Sequence, residues 1–176
     1  MASLIVLMGP TGAGKSVQGD LLAQELVGVH LSSGDLLRRD VAAAAAITDG
    51  KLAPAEHVER IVGEAVVAIP ADHPIIMDGV TRTMSNVHWL EGKLTEWGRE
   101  LQCVVLIELD LETSLKRLGL RHRADDAPEA VKEKWDEYTA KTQPVVDYYD
   151  SLGLLRRIDG RGSVDEVQRL LRNAIS

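Results

Sequence analysis

The 176-residue chain predicts an α/β fold, a doubly wound sheet of five parallel strands flanked by helices. Three observations carry this. Five short apolar runs recur without polar alternation, as strands buried on both faces require. Segments of helical periodicity separate them, so strand and helix alternate along the chain. The first run ends in a glycine-rich turn that opens a helix, which puts ligands at the carboxyl ends of the strands.

The first strand is Leu4 to Met8, followed by Gly9-Pro10-Thr11-Gly12-Ala13-Gly14-Lys15-Ser16. This is the pattern G-x-x-x-x-G-K-[ST] between strand and helix, the context that marks a phosphate-binding loop. The glycines let successive N–H groups of Gly12, Ala13, Gly14, Lys15 and Ser16 face one anion, and the helix adds its positive end. Lys15 is placed to reach β- and γ-phosphates, and the Ser16 hydroxyl to bind Mg²⁺. The expected ligand is a nucleoside triphosphate. The helix from Lys15 sets Val17, Leu21, Leu22 and Leu26 on one side.

Val29 to Leu31 is the second strand. No strand is legible between Leu31 and Ile75; Ser32 to Arg39 reads as a helix, with an alanine run at 42–46, a turn at Thr48-Asp49-Gly50, and a helix opened by Pro54. A helical insertion is expected there. Arg38 and Arg39 are adjacent on a helix and cannot face the same way, so one meets a ligand and the other solvent. The third strand, Ile75 to Met77, ends in Asp78-Gly79, where a carboxylate orients Mg²⁺ in proteins with such a loop or else caps the next helix. Arg82 emerges at the same edge. The fourth strand is Cys103 to Leu109, and the segment after it holds Lys116, Arg117, Arg121 and Arg123, then Asp125-Asp126. A charge run is ordinarily a solvated face, but this one leaves the same sheet edge as the phosphate loop, and arginine's planar fork suits transferring phosphoryl oxygens. The fifth strand is Leu154 to Ile158. Ser163 with Glu166 forms a capping box, and Val164, Val167, Leu170, Leu171, Ala174 and Ile175 make the apolar stripe of the last helix.

Composition narrows the function. A net charge of −7 and an aromatic content of 3% argue against nucleic-acid binding by cationic or stacking surfaces. The single cysteine, Cys103, rules out an internal disulfide and a multi-cysteine zinc site, and is expected to be a buried small hydrophobe. The N-terminal apolar run reads as a first strand and not as a signal peptide, and nothing approaches the length of a membrane span. The expected setting is the cytoplasm, with no membrane partner. The histidines show no ligand spacing, and no Ser/His/Asp set is legible. An acceptor that is itself a phosphate needs no general base, since its second pKa is near 6.

Together these motifs resemble the adenylate kinase family of nucleoside monophosphate kinases through nearly the whole chain. The phosphate loop is similar to the family's, with Ser16 where Gly is usual. Leu31 to Arg38 resembles the monophosphate-binding signature, with Ser33 where Thr is commonest. Gly50-Lys51-Leu52-Ala53-Pro54 is similar to the turn lining the base. Asp78 to Thr83 looks like the segment normally written D-G-F-P-R-T, with Thr81 in place of the proline. Arg117, Arg121 and Arg123-Ala124-Asp125-Asp126 match lid arginines, and Lys141-Thr142-Gln143-Pro144 with Tyr148-Tyr149 the helix behind the lid. Ile158-Asp159-Gly160 matches the loop touching the ATP adenine.

The resemblance implies a kinase moving the γ-phosphoryl group of Mg-ATP to AMP, giving two ADP. It implies a core of residues 1–31, 65–115 and 129–176, a monophosphate-binding subdomain at 32–64 and a short lid at 116–128. Gly12, Ala13, Gly14, Lys15, Ser16 and Val17 would hold ATP, with Arg117 and Gly160 at its adenine. Lys15, Arg82, Arg121 and Arg123 would be catalytic. Ser33, Arg38, Ala53, Gly79, Arg82 and Asn86 would bind the monophosphate, leaving Arg39 solvated. Ser16 and Asp78 would serve Mg²⁺, directly or through water, and no zinc is implied because the lid lacks cysteines. The chain is expected to be a monomer. Lys134 stands where the family usually has an arginine. Asn86 stands where adenylate kinases usually have glutamine and UMP/CMP kinases often Asn, so a UMP/CMP kinase is the alternative. A GTPase-type switch lacks its Asn-Lys-x-Asp guanine reader here. A non-catalytic nucleotide-binding homologue is the remaining rival.

Overall fold

A computed structural model describes residues 2–40, 55–120 and 128–176. Five parallel strands, β1 (Ala2–Met8), β2 (Val29–Ser32), β3 (Ile75–Asp78), β4 (Arg99–Glu108) and β5 (Leu155–Asp159), lie in the order β2-β3-β1-β4-β5. The described helices are α1 (Lys15–Glu25), α2 (Ser33–Arg39), α3 (Ala55–Val67), α4 (Met84–Leu94), α5 (Leu111–Gly119), α6 (Pro128–Ser151) and α7 (Val164–Ile175). The doubly wound sheet read from the sequence is therefore present. The turn at 48–50 and the segment around Ala53 lie outside the described residues, as do Arg121 and Arg123. α3 runs across the expected border between insertion and core at 64/65.

Strand alternation explains why the apolar runs lack polar positions. Leu4, Val6, Met8, Ile75, Met77, Val104 and Leu106 face one layer, with α3, α4 and α6. Ile5, Leu7, Ile76, Cys103, Val105 and Ile107 face the other, with α1 and α7. Each central strand buries both faces, at about 25 cal/mol per Å² of apolar surface. Cys103 is buried and free, and burial pushes its thiol pKa up. The Ser163–Glu166 capping box forms in both directions.

Two details differ from the sequence reading. β4 begins four residues before Cys103, at Arg99, a residue buried at the strand start where its guanidinium donates to the carbonyls of His73 and Pro70. A charged residue whose two terminal guanidinium nitrogens donate to backbone carbonyls can enter a strand that pattern alone would end. The buried face of α1 is Gln18, Gly19, Leu22 and Ala23, whereas Val17 and Leu26 are exposed. Small residues win because the helix lies close on the sheet: the His30 ring of β2 occupies the space a Gly19 side chain would need.

Candidate active site

β1 and β3 are neighbours with Leu7 opposite Asp78, so the phosphate loop and the acid leave the sheet side by side. Ser16 Oγ donates to Asp78 Oδ2 at 2.7 Å. Gly12 and Gly14 have φ of +77° and +87°, left-handed values that glycine adopts without penalty, and Gly14 is the N-cap of α1. Within the curl the Ala13 N–H donates to Pro10 O at 3.3 Å, and side chains hold the loop carbonyls. Lys15 Nζ donates to Gly9 O (2.8 Å) and Pro10 O (2.9 Å), Ser114 Oγ to Thr11 O (2.8 Å), and Arg117 Nη1 to Gly12 O (3.4 Å). Arg117 Nη2 also reaches Gly162 O at 3.0 Å, and Gly160 N–H donates to Glu108 O at 2.8 Å. Gly12, Ala13, Gly14, Lys15, Ser16, Arg117 and Gly160 are thus gathered at one end of the sheet, with Val17 exposed at the start of α1.

On the other side of Asp78 stand Ser33, Arg38, Gly79, Arg82 and Asn86. A Cβ on Gly79 would lie 2.7 Å from Ser33 Oγ and 2.9 Å from Arg82 Nη2, so the bare glycine leaves a cradle between a hydroxyl and a guanidinium. Arg82 Nε donates to Gly79 O at 2.9 Å. Burial lowers the Arg82 pKa, the Asp78 and Glu137 carboxylates oppose that, and the Arg38 charge adds to it. Arginine stays protonated even so. Two guanidinium groups within electrostatic reach, one of them half-buried, favour an anion between them. Arg38 pairs with Asp35 on α2, and Arg38 and Arg39 are both exposed, so exposure does not single out which of the two meets a ligand.

Three polar atoms on this side are buried without a hydrogen-bond partner among the described residues: Ser33 Oγ, Thr81 Oγ1 and Asn86 Nδ2, on residues 1%, 3% and 5% exposed. Asn86 is the third residue of α4, whose N-cap is Thr83. Thr83 Oγ1 accepts from Asn86 N–H (3.3 Å) and donates to Asn86 Oδ1 (3.0 Å), which leaves Nδ2 as the open donor.

Sequence reading did not single out Ser114 or His30. Ser114 carried a signal: a hydroxyl four residues before Leu118 on the buried side of α5. His30 carried none. Its Nδ1 pairs with Asp20 Oδ1 at 2.8 Å and its Nε2 lies 3.9 Å from Asp78 Oδ2, contacts that exist only once α1, β2 and β3 are assembled.

Comparison with known proteins agrees with this geometry. The family model described as "Adenylate kinase" matches residues 7–154. The adenylate kinase of Prochlorococcus marinus (strain MIT 9211) is 38% identical over 99% of this chain and 98% of its own length. That of Thermus thermophilus is 35% identical over 97% and 96%, and that of Micrococcus luteus 33% over 97% and 89%. With the match extending from β1 into the turn before β5, and the relatives aligned nearly end to end, this chain belongs to the adenylate kinase family.

Proposed function

We propose that this chain transfers the γ-phosphoryl group of Mg-ATP to AMP, giving two ADP. The observation that carries this reading is the pair of anion-directed sites flanking Asp78, a phosphate loop with Lys15 on one side and Arg82, Ser33 and Arg38 on the other. Two phosphate-bearing ligands brought to one carboxylate suit transfer between them.

The Gly12–Ser16 backbone and Lys15 hold the ATP phosphates, and Lys15 leaves the Gly9 and Pro10 carbonyls to reach them. Ser16 and Asp78 offer hard oxygen donors 2.7 Å apart, a set that fits Mg²⁺, and they would hold it directly or through water. When bound, Mg²⁺ supplies neutralisation of phosphate charge. Arg82 and Arg38 orient the acceptor phosphate, whose oxygen attacks the γ-phosphorus as the bond to the β,γ-bridging oxygen breaks. No base is required, because that phosphate is already ionised. Arg117 and Gly160 serve the adenine of ATP, and Arg121 and Arg123 close on the transferring group from a lid at 116–128. Ser33, Ala53, Gly79 and Asn86 serve the acceptor nucleoside. The cytoplasm is the proposed location; no described helix is long and apolar enough to cross a membrane.

A pyrimidine monophosphate is a second reading, which Asn86 leaves open. With Oδ1 engaged by Thr83, only Nδ2 is offered, and both adenine and cytosine present acceptor atoms to a single donor. ADP formation from ATP with AMP, CMP, UMP or GMP is the deciding assay. A preference for AMP supports the first reading, a preference for CMP or UMP the second, and turnover with none of them the non-catalytic rival.

A further inference from the structure

We propose that Thr142 is a positioning residue for the acceptor side, its hydroxyl fixing the loop that aims the Arg82 guanidinium. The proposal rests on the reading of Arg82 as a ligand of the acceptor phosphate. Thr142 lies on α6, is 2% exposed, and donates from Oγ1 to the Arg82 carbonyl at 3.1 Å. The loop from Gly79 to Thr83 contains no proline, and Gly79 has a φ of +75°. Hydrogen bonds therefore hold its shape. Arg82 Nε closes it on Gly79 O, Thr83 caps α4, and Thr142 ties it to a separate helix.

A threonine inside a helix commonly returns its hydroxyl to the carbonyl four residues back. Thr139 does so on this same helix, donating to Trp135 O at 3.0 Å. Thr142 instead spends its hydroxyl across the interface, on the backbone of the residue that faces the acceptor. Its helix is a firm base. Val145, Val146 and Tyr149 are buried in the core, and Tyr148 Oη binds both Glu91 carboxylate oxygens at 3.0 Å, tying α6 to α4. Glu137, on the same helix, adds a carboxylate whose field favours the Arg82 charge. One helix thus meets Arg82 both through its backbone and through its charge.

The test compares Thr142→Val, which keeps the shape and removes the donor, with Thr142→Ser, which keeps the donor. Steady-state KM for AMP and for ATP is measured on each full chain, with thermal melting as the check on folding. Loss of one positioning hydrogen bond should raise the AMP KM by about three- to tenfold in Thr142→Val. The ATP KM should stay unchanged and Thr142→Ser should match the parent. Equal rises in both KM values, or no rise in either, overturn the proposal. Thr142→Ala makes the same comparison if the valine variant does not fold. Arg82→Lys separates the layers. If it leaves the AMP KM unchanged, the acceptor-site reading falls and Thr142 with it. If it raises the AMP KM while Thr142→Val is silent, only the Thr142 proposal falls.

Discussion

The two sides of Asp78 are built differently. On the phosphate-loop side the carbonyls of residues 9–12 all have donors, from Lys15, Ser114 and Arg117. On the acceptor side Ser33, Thr81 and Asn86 each bury a polar atom unpaired among the described residues. A buried unpaired group costs about 1–3 kcal/mol, so a ligand that completes these atoms is favoured there. A polyphosphate has one shape, and a fixed backbone cradle serves it. A base must be told from other bases, a task that open side-chain donors would suit at some cost in stability.

The sharpest way to break this contrast is Lys15→Met. On the donor side the backbone cradle is pre-set, but the charge is not replaceable. Turnover should fall on the order of 10³-fold, because developing charge on the transferring group loses a preorganised cation. The variant should still fold, with a melting temperature lowered by a few degrees, since the methionine gives up the hydrogen bonds to the Gly9 and Pro10 carbonyls. Near-normal turnover by the folded variant would remove Lys15 from the chemistry.

Asn86 probes the open side, with a smaller effect. Asn86→Gln extends the donor by one methylene and should raise the AMP:CMP ratio of kcat/KM by about tenfold if one hydrogen bond worth about 1.4 kcal/mol is gained. Asn86→Ala should erode base preference and leave the ATP KM alone, because ATP is held across Asp78. An unchanged ratio in both variants takes Asn86 out of base recognition and leaves Nδ2 as a structural orphan.

Legibility differed between the two sides for a physical reason. The donor side is a local motif: strand, glycine turn and helix are contiguous, so Gly12 to Ser16 could be read directly and their grouping with Asp78 followed from parallel strands. Arg117 was legible as one cation of the run after the fourth strand, its adenine role came only through the family resemblance, and its bridge from Gly12 to Gly162 is tertiary. The acceptor side joins α2, the loop after β3 and α6, which lie far apart in sequence. Arg82 was placed at the right edge and one of Arg38 and Arg39 was expected to meet a ligand, but the roles of Ser33, Arg38, Gly79 and Arg82 were named by resemblance. Thr142 was only part of a matched motif, and its partner Arg82 was invisible because a side-chain bond to a backbone carbonyl leaves no pattern. Apolar periodicity misassigned the α1 face because it scores Val17 and Leu26 by type, whereas close approach to the sheet selects Gly19 and Ala23.

The smallest expected effect serves as a control remote from both sides. Val27 follows α1 with φ +51° and is 78% exposed. Gly28 N–H donates to Ala23 O at 2.8 Å and Val27 N–H to Gln24 O at 3.4 Å, the two bonds of a Schellman cap in which Val27 holds the left-handed position. Glycine is favoured there, and a β-branched residue pays for the crowding of its Cβ against the backbone. Val27→Gly relieves that strain but frees the unfolded chain, which recovers part of the gain. The net should be about 1 kcal/mol of added stability, a rise in Tm of about 2–4 °C for a chain of this size. Val27→Ala, which keeps a Cβ but drops the branch, should fall between. KM for ATP and for AMP should not change in either variant. A lower Tm in Val27→Gly would show that the valine side chain contributes more by packing than its backbone costs, and a shift in only one KM would show that the end of α1 is coupled to that side of the site.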